Sequence, residues 1–107
     1  QIGDLLCMHH LLKPFHISQT AWAAGKLQFY DEQLFDRLAS SAVVKVDAFE
    51  TVNLANLSWA FAKADRNDPE LFSALAATAL TKIGGFNEQE IANTAWAFAK
   101  VGRSDSE

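Results

Sequence analysis

Three lysines lie 37 residues apart in this chain, and each follows a side-chain amide by seven residues: Lys26 follows Gln19, Lys63 follows Asn56 and Lys100 follows Asn93. An ammonium group donates hydrogen bonds to phosphate oxygens, whereas an amide both donates and accepts, as the edge of a nucleobase does. Seven residues make about two helical turns, so each amide shares a helix face with its lysine. Rows of such pairs suit a single nucleic-acid strand, with lysines on phosphates and amides on bases.

An α-helix turns by 100° per residue, so further positions lie on the same face as each amide and its lysine. Positions 15, 52 and 89 and positions 16, 53 and 90 change between units, so we expect them to set specificity. We expect the amides, which hardly change between units, to make a polar contact with RNA that is common to all units. The predicted contact residues are Phe15, His16, Gln19, Lys26, Val52, Asn53, Asn56, Lys63, Gln89, Glu90, Asn93 and Lys100.

Each of these residue types also has an ordinary structural interpretation. Asn56 and Asn93 could form a ladder of hydrogen bonds to the backbone of the neighbouring repeat. The lysines could be solvated side chains that favour the negative end of a helix dipole. A base could stack on the indole of a tryptophan. The place of Trp59 beside Ala55 and Ala62 instead favours a position in the core between repeats, and we predict this for the tryptophans of all three units.

The elements that carry these residues repeat along the chain. Residues 49–70 and 86–107 are similar at an offset of 37, and both contain the sequence WAFAK. A fixed period of this length is typical of repeat architectures. We predict one array over residues 1–107, comprising complete repeats at 13–48 and 49–85, the first helix of a further repeat at 86–107, and the second helix of a truncated one at 1–12. The chain therefore reads as a piece of a longer array.

Each repeat reads as two helices. The first helix of the middle repeat places Leu54, Leu57 and Phe61 on one face at the helical period. We predict that Asp31 and Asp68 cap the second helices, that Gly84 follows one of them, and that Asn87 and Glu90 form a capping box. The residues of the middle second helix predicted to face inward are Leu71, Phe72, Leu75, Ala76, Ala79, Leu80 and Ile83. Paired antiparallel helices of this length cannot bury their faces alone, so the predicted fold is all-α, a right-handed α-solenoid with a repeat of about 37 residues.

The runs at residues 55–63 and 92–100 match the pattern A-N-x-[AS]-W-A-F-A-K and carry a resemblance to known families. The chain resembles the octotricopeptide repeats of organellar proteins and the helical repeats of FAST-kinase-like, RAP-domain-containing mitochondrial RNA proteins. That resemblance implies binding of single-stranded RNA in mitochondria or chloroplasts, for RNA processing, stability or translation. It also implies protein partners in an RNA-processing complex. The sequence departs from the pattern at TAWAAGK in the first repeat and at Glu32, and it lacks the RAP domain, so no cleavage activity is carried over.

Other functions find little support in the sequence. The three histidines and the single Cys7 do not have the spacing of a metal site, and no set of side chains suits a catalytic mechanism, so we expect no cofactor, no metal and no enzymatic activity. A single cysteine favours a reducing compartment, and no apolar run is long enough to predict a membrane span. The net charge is −4, so an RNA-binding face must be locally basic. The alternative is a protein-binding scaffold of tetratricopeptide or armadillo type, since this fold alone does not decide between the two.

Overall fold

The computed structural model describes residues 13–105, with side chains described as far as residue 102. The helix predicted over residues 1–12 lies outside this range. Between residues 13 and 105 the chain is all-helical, with five α-helices: α1 Pro14–Leu27, α2 Glu32–Lys45, α3 Thr51–Lys63, α4 Pro69–Thr81 and α5 Glu88–Asp105. Short 3-10 turns, Val46–Ala48 and Ile83–Gly85, follow α2 and α4. Equivalent helices begin 37 residues apart.

Local chemistry explains where the helices begin. Pro14 and Pro69 stand at the first helical positions of α1 and α4, where their fixed φ and missing N–H cost nothing. The carboxylate of Asp31 accepts a hydrogen bond from the Leu34 N–H at 2.8 Å, which confirms the predicted cap of α2. Asp68 stands at the N-cap position of α4 as predicted, but its carboxylate makes no capping hydrogen bond, because it accepts hydrogen bonds from Arg66 instead.

The first helices end in the same way in both hairpins. Gln28 and Asp65 adopt the left-handed conformation, with φ of 58° and 59°. The next N–H groups, those of Phe29 and Arg66, donate back to the Ala24 and Phe61 carbonyls at 2.9 and 2.8 Å. This is the Schellman arrangement, which usually has glycine at the left-handed position. The turn therefore holds a side-chain-bearing residue in a conformation that favours glycine.

The helices pack in two layers. α1, α3 and α5 lie side by side in one layer, and α2 lies beside α4 in the other. The core between the layers contains Phe35 and Phe61, whose rings meet edge to face at 5.0 Å, and Phe72 and Phe98 at 5.2 Å. The other large, fully buried side chains are Ile17, Leu38, Phe49, Leu54, Leu57, Leu71 and Leu75. The inward face predicted for α3 is therefore confirmed.

Two residues predicted to face inward do not. Leu80 is 72% exposed because no described helix packs on its side of α4. Ile83 is 58% exposed because α4 ends at Thr81, so the helical period no longer applies to it. The inward prediction holds for Leu71, Phe72 and Leu75.

Small residues let the first helices approach closely. Ala21, Ala60 and Ala97 are fully buried in this layer. At Gly25 an added Cβ would lie 2.9 Å from Trp59 Cζ3 and 3.5 Å from the Ala60 Cα. The edge of the Trp59 indole thus rests on the α1 backbone, and any side chain at residue 25 would displace it.

Candidate nucleic-acid interface

A line of exposed and half-buried side chains runs along each first helix, opposite the core residues Leu54, Leu57 and Phe61. Its members stand at helical positions i, i+4, i+7 and i+11, which fall within about 60° of one another. We call these lines the tryptophan stripes. They comprise Phe15, Gln19, Trp22 and Lys26 on α1; Val52, Asn56, Trp59 and Lys63 on α3; and Gln89, Asn93, Trp96 and Lys100 on α5.

The tryptophans were predicted to fill the core between repeats, and only Trp59 partly does. Trp59 is half-buried, packed against the core and against Gly25. Trp22 and Trp96 remain 42% and 40% exposed. The core prediction is therefore wrong for these two indoles. The Trp59 indole rests on the preceding first helix, whereas α1, which carries Trp22, has no first helix before it among the described residues.

The three lysines of the stripes have different surroundings. The Lys26 ammonium lies 5.6 Å from the Trp22 ring centroid and 6.0 Å from that of Trp59, within cation–π range of both. Lys63 is exposed.

Lys100 lies 5.9 Å from the Trp96 ring and donates to the Ala62 carbonyl at 2.8 Å. It also forms an ion pair with Asp65. Lys100 thus ties α5 to the end of α3, so the predicted row of equivalent ammonium groups is not uniform.

Asn53 does not lie on the exposed face where we predicted it. Its side chain is 5% exposed. Its carbonyl oxygen accepts from the Glu50 N–H at 2.9 Å, and its amide nitrogen donates to the Ser18 hydroxyl at 3.2 Å. These bonds close a capping box on α3 and join α3 to α1, so the amide is committed inside the protein.

Glu90, at the position equivalent to Asn53, is held in the same way. Its carboxylate accepts from the Asn87 N–H at 3.0 Å and from the Thr51 hydroxyl at 2.9 Å. The Asn87 side chain accepts from the Glu90 N–H at 2.8 Å, which confirms the predicted capping box. His16, the third member of this set, is exposed and lies edge-on to Phe15. The prediction of Glu90 as an RNA contact is therefore wrong, and the capping patterns could have identified both Asn53 and Glu90 as structural.

The amides of the stripes form no ladder among the described residues. Gln19 is exposed and Asn56 is half-buried, with no hydrogen bond from either side chain in the described part of the chain. Asn93 accepts from the Gln89 side chain at 3.1 Å, within its own helix. The contact of these amides with RNA stays a prediction.

Arg66 forms an ionic cluster that the sequence did not point to. Its guanidinium makes two hydrogen bonds to Asp68, at 3.2 and 2.9 Å, and one to Asp36 at 2.7 Å. It also lies about 6 Å from the Phe35 and Phe61 rings. Burial lowers the pKa of Arg66, but the hydrogen bonds and charges of the two aspartates outweigh burial and hold the pKa above its ordinary value. The cluster links the α3–α4 turn to α2.

A groove of about 590 Å³ opens beside this cluster, between α2 and α4. Its walls are formed by Ala39, Val43, Val44 and Leu71, and Val44 is 73% exposed. The groove is also lined by Glu70 and by Arg66 with its two aspartate partners, Asp36 and Asp68. This surface lies on the layer that does not carry the tryptophan stripes.

Among side chains 13–102, no three histidine, cysteine or acidic residues stand close enough together to hold a metal ion. Of the helices between residues 13 and 105, none is both long and apolar enough to span a membrane.

Comparison with known proteins gives one family. A model of the family described as RNA-editing substrate-binding complex 6 protein matches residues 12–106. No curated protein matches the chain, and no solved structure matches it. The match agrees with the resemblance at the level of RNA processing and does not extend to octotricopeptide or RAP-domain repeats.

Proposed function

Because the chain belongs to the RNA-editing substrate-binding complex 6 protein family, we propose that it binds single-stranded RNA along its first-helix layer, as a component of an RNA-processing complex. The observation that carries the proposal is the alignment of the three tryptophan stripes on one side of the molecule. Neighbouring packed helices lie about 8–10 Å apart, so the stripes form parallel rungs across which a strand can run.

The chemistry of each stripe fits a strand of RNA. The exposed lysines Lys26 and Lys63 supply phosphate contacts, and Gln19 and Asn56 supply donors and acceptors for base edges. Single-stranded bases are read in this way by repeat proteins that use two or three side chains per helix. We assign Asn53 and Glu90 to the scaffold and keep Phe15, Val52 and Gln89 as the variable positions that set specificity.

We propose that the fold is a right-handed solenoid with a unit of about 37 residues. Such a fold suits the binding of a single RNA strand. Support comes from helices that begin 37 residues apart and from the close approach of α1 to α3 at Gly25. Stacking of paired helices makes an extended surface of the kind that repeat proteins use for binding. We propose a binding role without a catalytic step, exerted in the mitochondrion. The chloroplast, the other organelle that the resemblance implied, gains no support from the family match.

The test is RNA binding measured by fluorescence anisotropy as a function of salt. Each lost phosphate contact on a single strand lowers the slope of log K against log salt by about 0.7. We expect Lys26→Ala/Lys63→Ala to lower the slope by about 1.4 on that basis. The charge-matched control is Arg37→Ala/Lys45→Ala on α2, which should leave the slope unchanged. A folded chain that binds no single-stranded RNA, or equal losses in the two double variants, would contradict the proposal.

The groove between α2 and α4 favours a second candidate function, docking of a protein partner of the complex. Its apolar walls fit the apolar face of an amphipathic segment of the partner. Val44→Asp should abolish co-purification with the RNA-processing complex and leave RNA affinity unchanged. Leu80→Asp is the matched control, because Leu80 is equally exposed but does not line the groove. Normal co-purification of Val44→Asp would remove this candidate.

A further inference from the structure

We propose that Trp22 and Trp96 are stacking platforms for RNA bases, and that each is covered in the free protein by the lysine four residues later. When a base occupies the indole, Lys26 leaves the ring and binds the adjacent phosphate. The inference rests on the proposed function and adds to it the residues that hold the bases.

The exposure of the indoles is the first observation behind this proposal. On α3 small or polar residues of the first helix are buried, with Asn53 at 5% and Ala60 at 0%, and on α5 Ala97 is buried at 0%. The largest apolar side chain of the helix instead keeps 42% of its surface exposed at Trp22 and 40% at Trp96. A tryptophan placed for stability alone would occupy the buried flank, where its burial is worth most.

The position of the lysines is the second observation. Lys26 lies within 6.0 Å of the rings of both Trp22 and Trp59, so it stands between the indoles of neighbouring helices. Trp59 itself is held against Gly25 and serves as the fixed wall of this site. A cation and two aromatic faces at one place suit a nucleotide, which carries a flat base and an anionic phosphate.

Displacement of the lysine by a base is favourable. An exposed cation–π contact changes an equilibrium by about two- to fivefold. Stacking of one base on an aromatic side chain changes it by about five- to 150-fold. The base therefore replaces the ammonium group on the ring, and the ammonium group gains a phosphate. Because every base has a flat face, stacking on an indole tolerates any RNA sequence. Discrimination between bases is then made by Phe15, Val52 and Gln89 on the same stripes.

Intrinsic fluorescence tests the proposal directly, because all three tryptophans of the chain lie in the stripes. The probes are a single-stranded oligouridylate and an abasic oligomer of the same length, which keeps the phosphates and lacks the bases. We expect the oligouridylate to quench indole emission. The abasic oligomer should bind at least about tenfold more weakly, from the magnitude of stacking, and should not quench.

Variants separate stacking from charge. Trp22→Ala should weaken oligouridylate binding about tenfold with an unchanged salt slope, and Trp22→Phe should restore most of the affinity. Phe29→Ala is the matched control, because Phe29 is 52% exposed and lies in the α1–α2 turn outside the stripes. Lys26→Ala should lower the salt slope instead.

The outcomes distinguish this inference from the function on which it rests. Equal affinity for the two oligomers without quenching would overturn stacking and leave RNA binding in place. No binding of either oligomer by the folded chain would overturn both. Trp22→Ala with wild-type affinity, or with the same loss as Phe29→Ala, would also overturn the role assigned to Trp22.

Discussion

Two asparagines three residues apart on α3 should respond very differently to the same substitution. The Asn53 side chain is buried and hydrogen-bonded to the Glu50 N–H and to Ser18, whereas the Asn56 side chain is half-buried and makes no hydrogen bond in the described part of the chain. We expect Asn53→Ala to destabilise the fold and Asn56→Ala to leave it unchanged or slightly more stable. The pair therefore tests whether position 53 belongs to the scaffold or to the binding face.

The expected change in the free energy of unfolding follows from the hydrogen bonds that each substitution removes. The capping hydrogen bond is worth about 1 kcal/mol, and the bond from Asn53 to Ser18 about another 1 kcal/mol. Alanine has a higher helix propensity than asparagine, which adds about 0.5 kcal/mol to the free energy of unfolding at either position. The free energy of unfolding should thus fall by about 1.5 kcal/mol in Asn53→Ala and rise by about 0.5 kcal/mol in Asn56→Ala on these values.

Urea unfolding followed by far-ultraviolet circular dichroism measures this difference. With an m-value of about 1.5 kcal/mol/M, a difference of about 2 kcal/mol separates the two midpoints by about 1.3 M. A double-mutant cycle with Ser18→Ala should recover a coupling of about 1 kcal/mol between Asn53 and Ser18. Coincident midpoints for the two alanine variants would refute the reasoning and return Asn53 to the candidates for RNA contact.

Five further substitutions have expected outcomes in the same unfolding assay. Gln28→Gly should stabilise the chain by about 0.5–1 kcal/mol, because glycine adopts the left-handed conformation without strain; a loss of stability would contradict this. Ser41→Ala should be neutral or stabilising by about 1 kcal/mol, since the buried Ser41 hydroxyl has no hydrogen-bond partner among the described residues, and a clear loss of stability would contradict this. Arg66→Lys should cost about 1 kcal/mol, as lysine cannot form the paired hydrogen bonds, and wild-type stability would disprove their contribution. Lys100→Ala should cost about 0.5–1 kcal/mol and Lys63→Ala almost nothing; equal midpoints would show that the bonds of Lys100 add no stability.

The sequence by itself determined the local structure. The alternation of helices, the α2 cap at Asp31 and the capping box at Asn87 and Glu90 depend on residues within a few positions of one another, so short-range chemistry specifies them. The recurrence at 37 residues likewise placed equivalent residues on equivalent helices. It also pointed to the amide and lysine positions of the stripes, whose spacing sets their common helix face.

Only the tertiary structure decided which sector of each first helix is open. Helical periodicity gives the angle between two side chains but does not say which angles a neighbouring helix covers. The neighbour packs against the flank with small residues, because close approach needs them, and this buries Ala60 and Asn53. Trp59 reaches this contact because Gly25 has no side chain, whereas Trp22 and Trp96 stay exposed where a core position was expected.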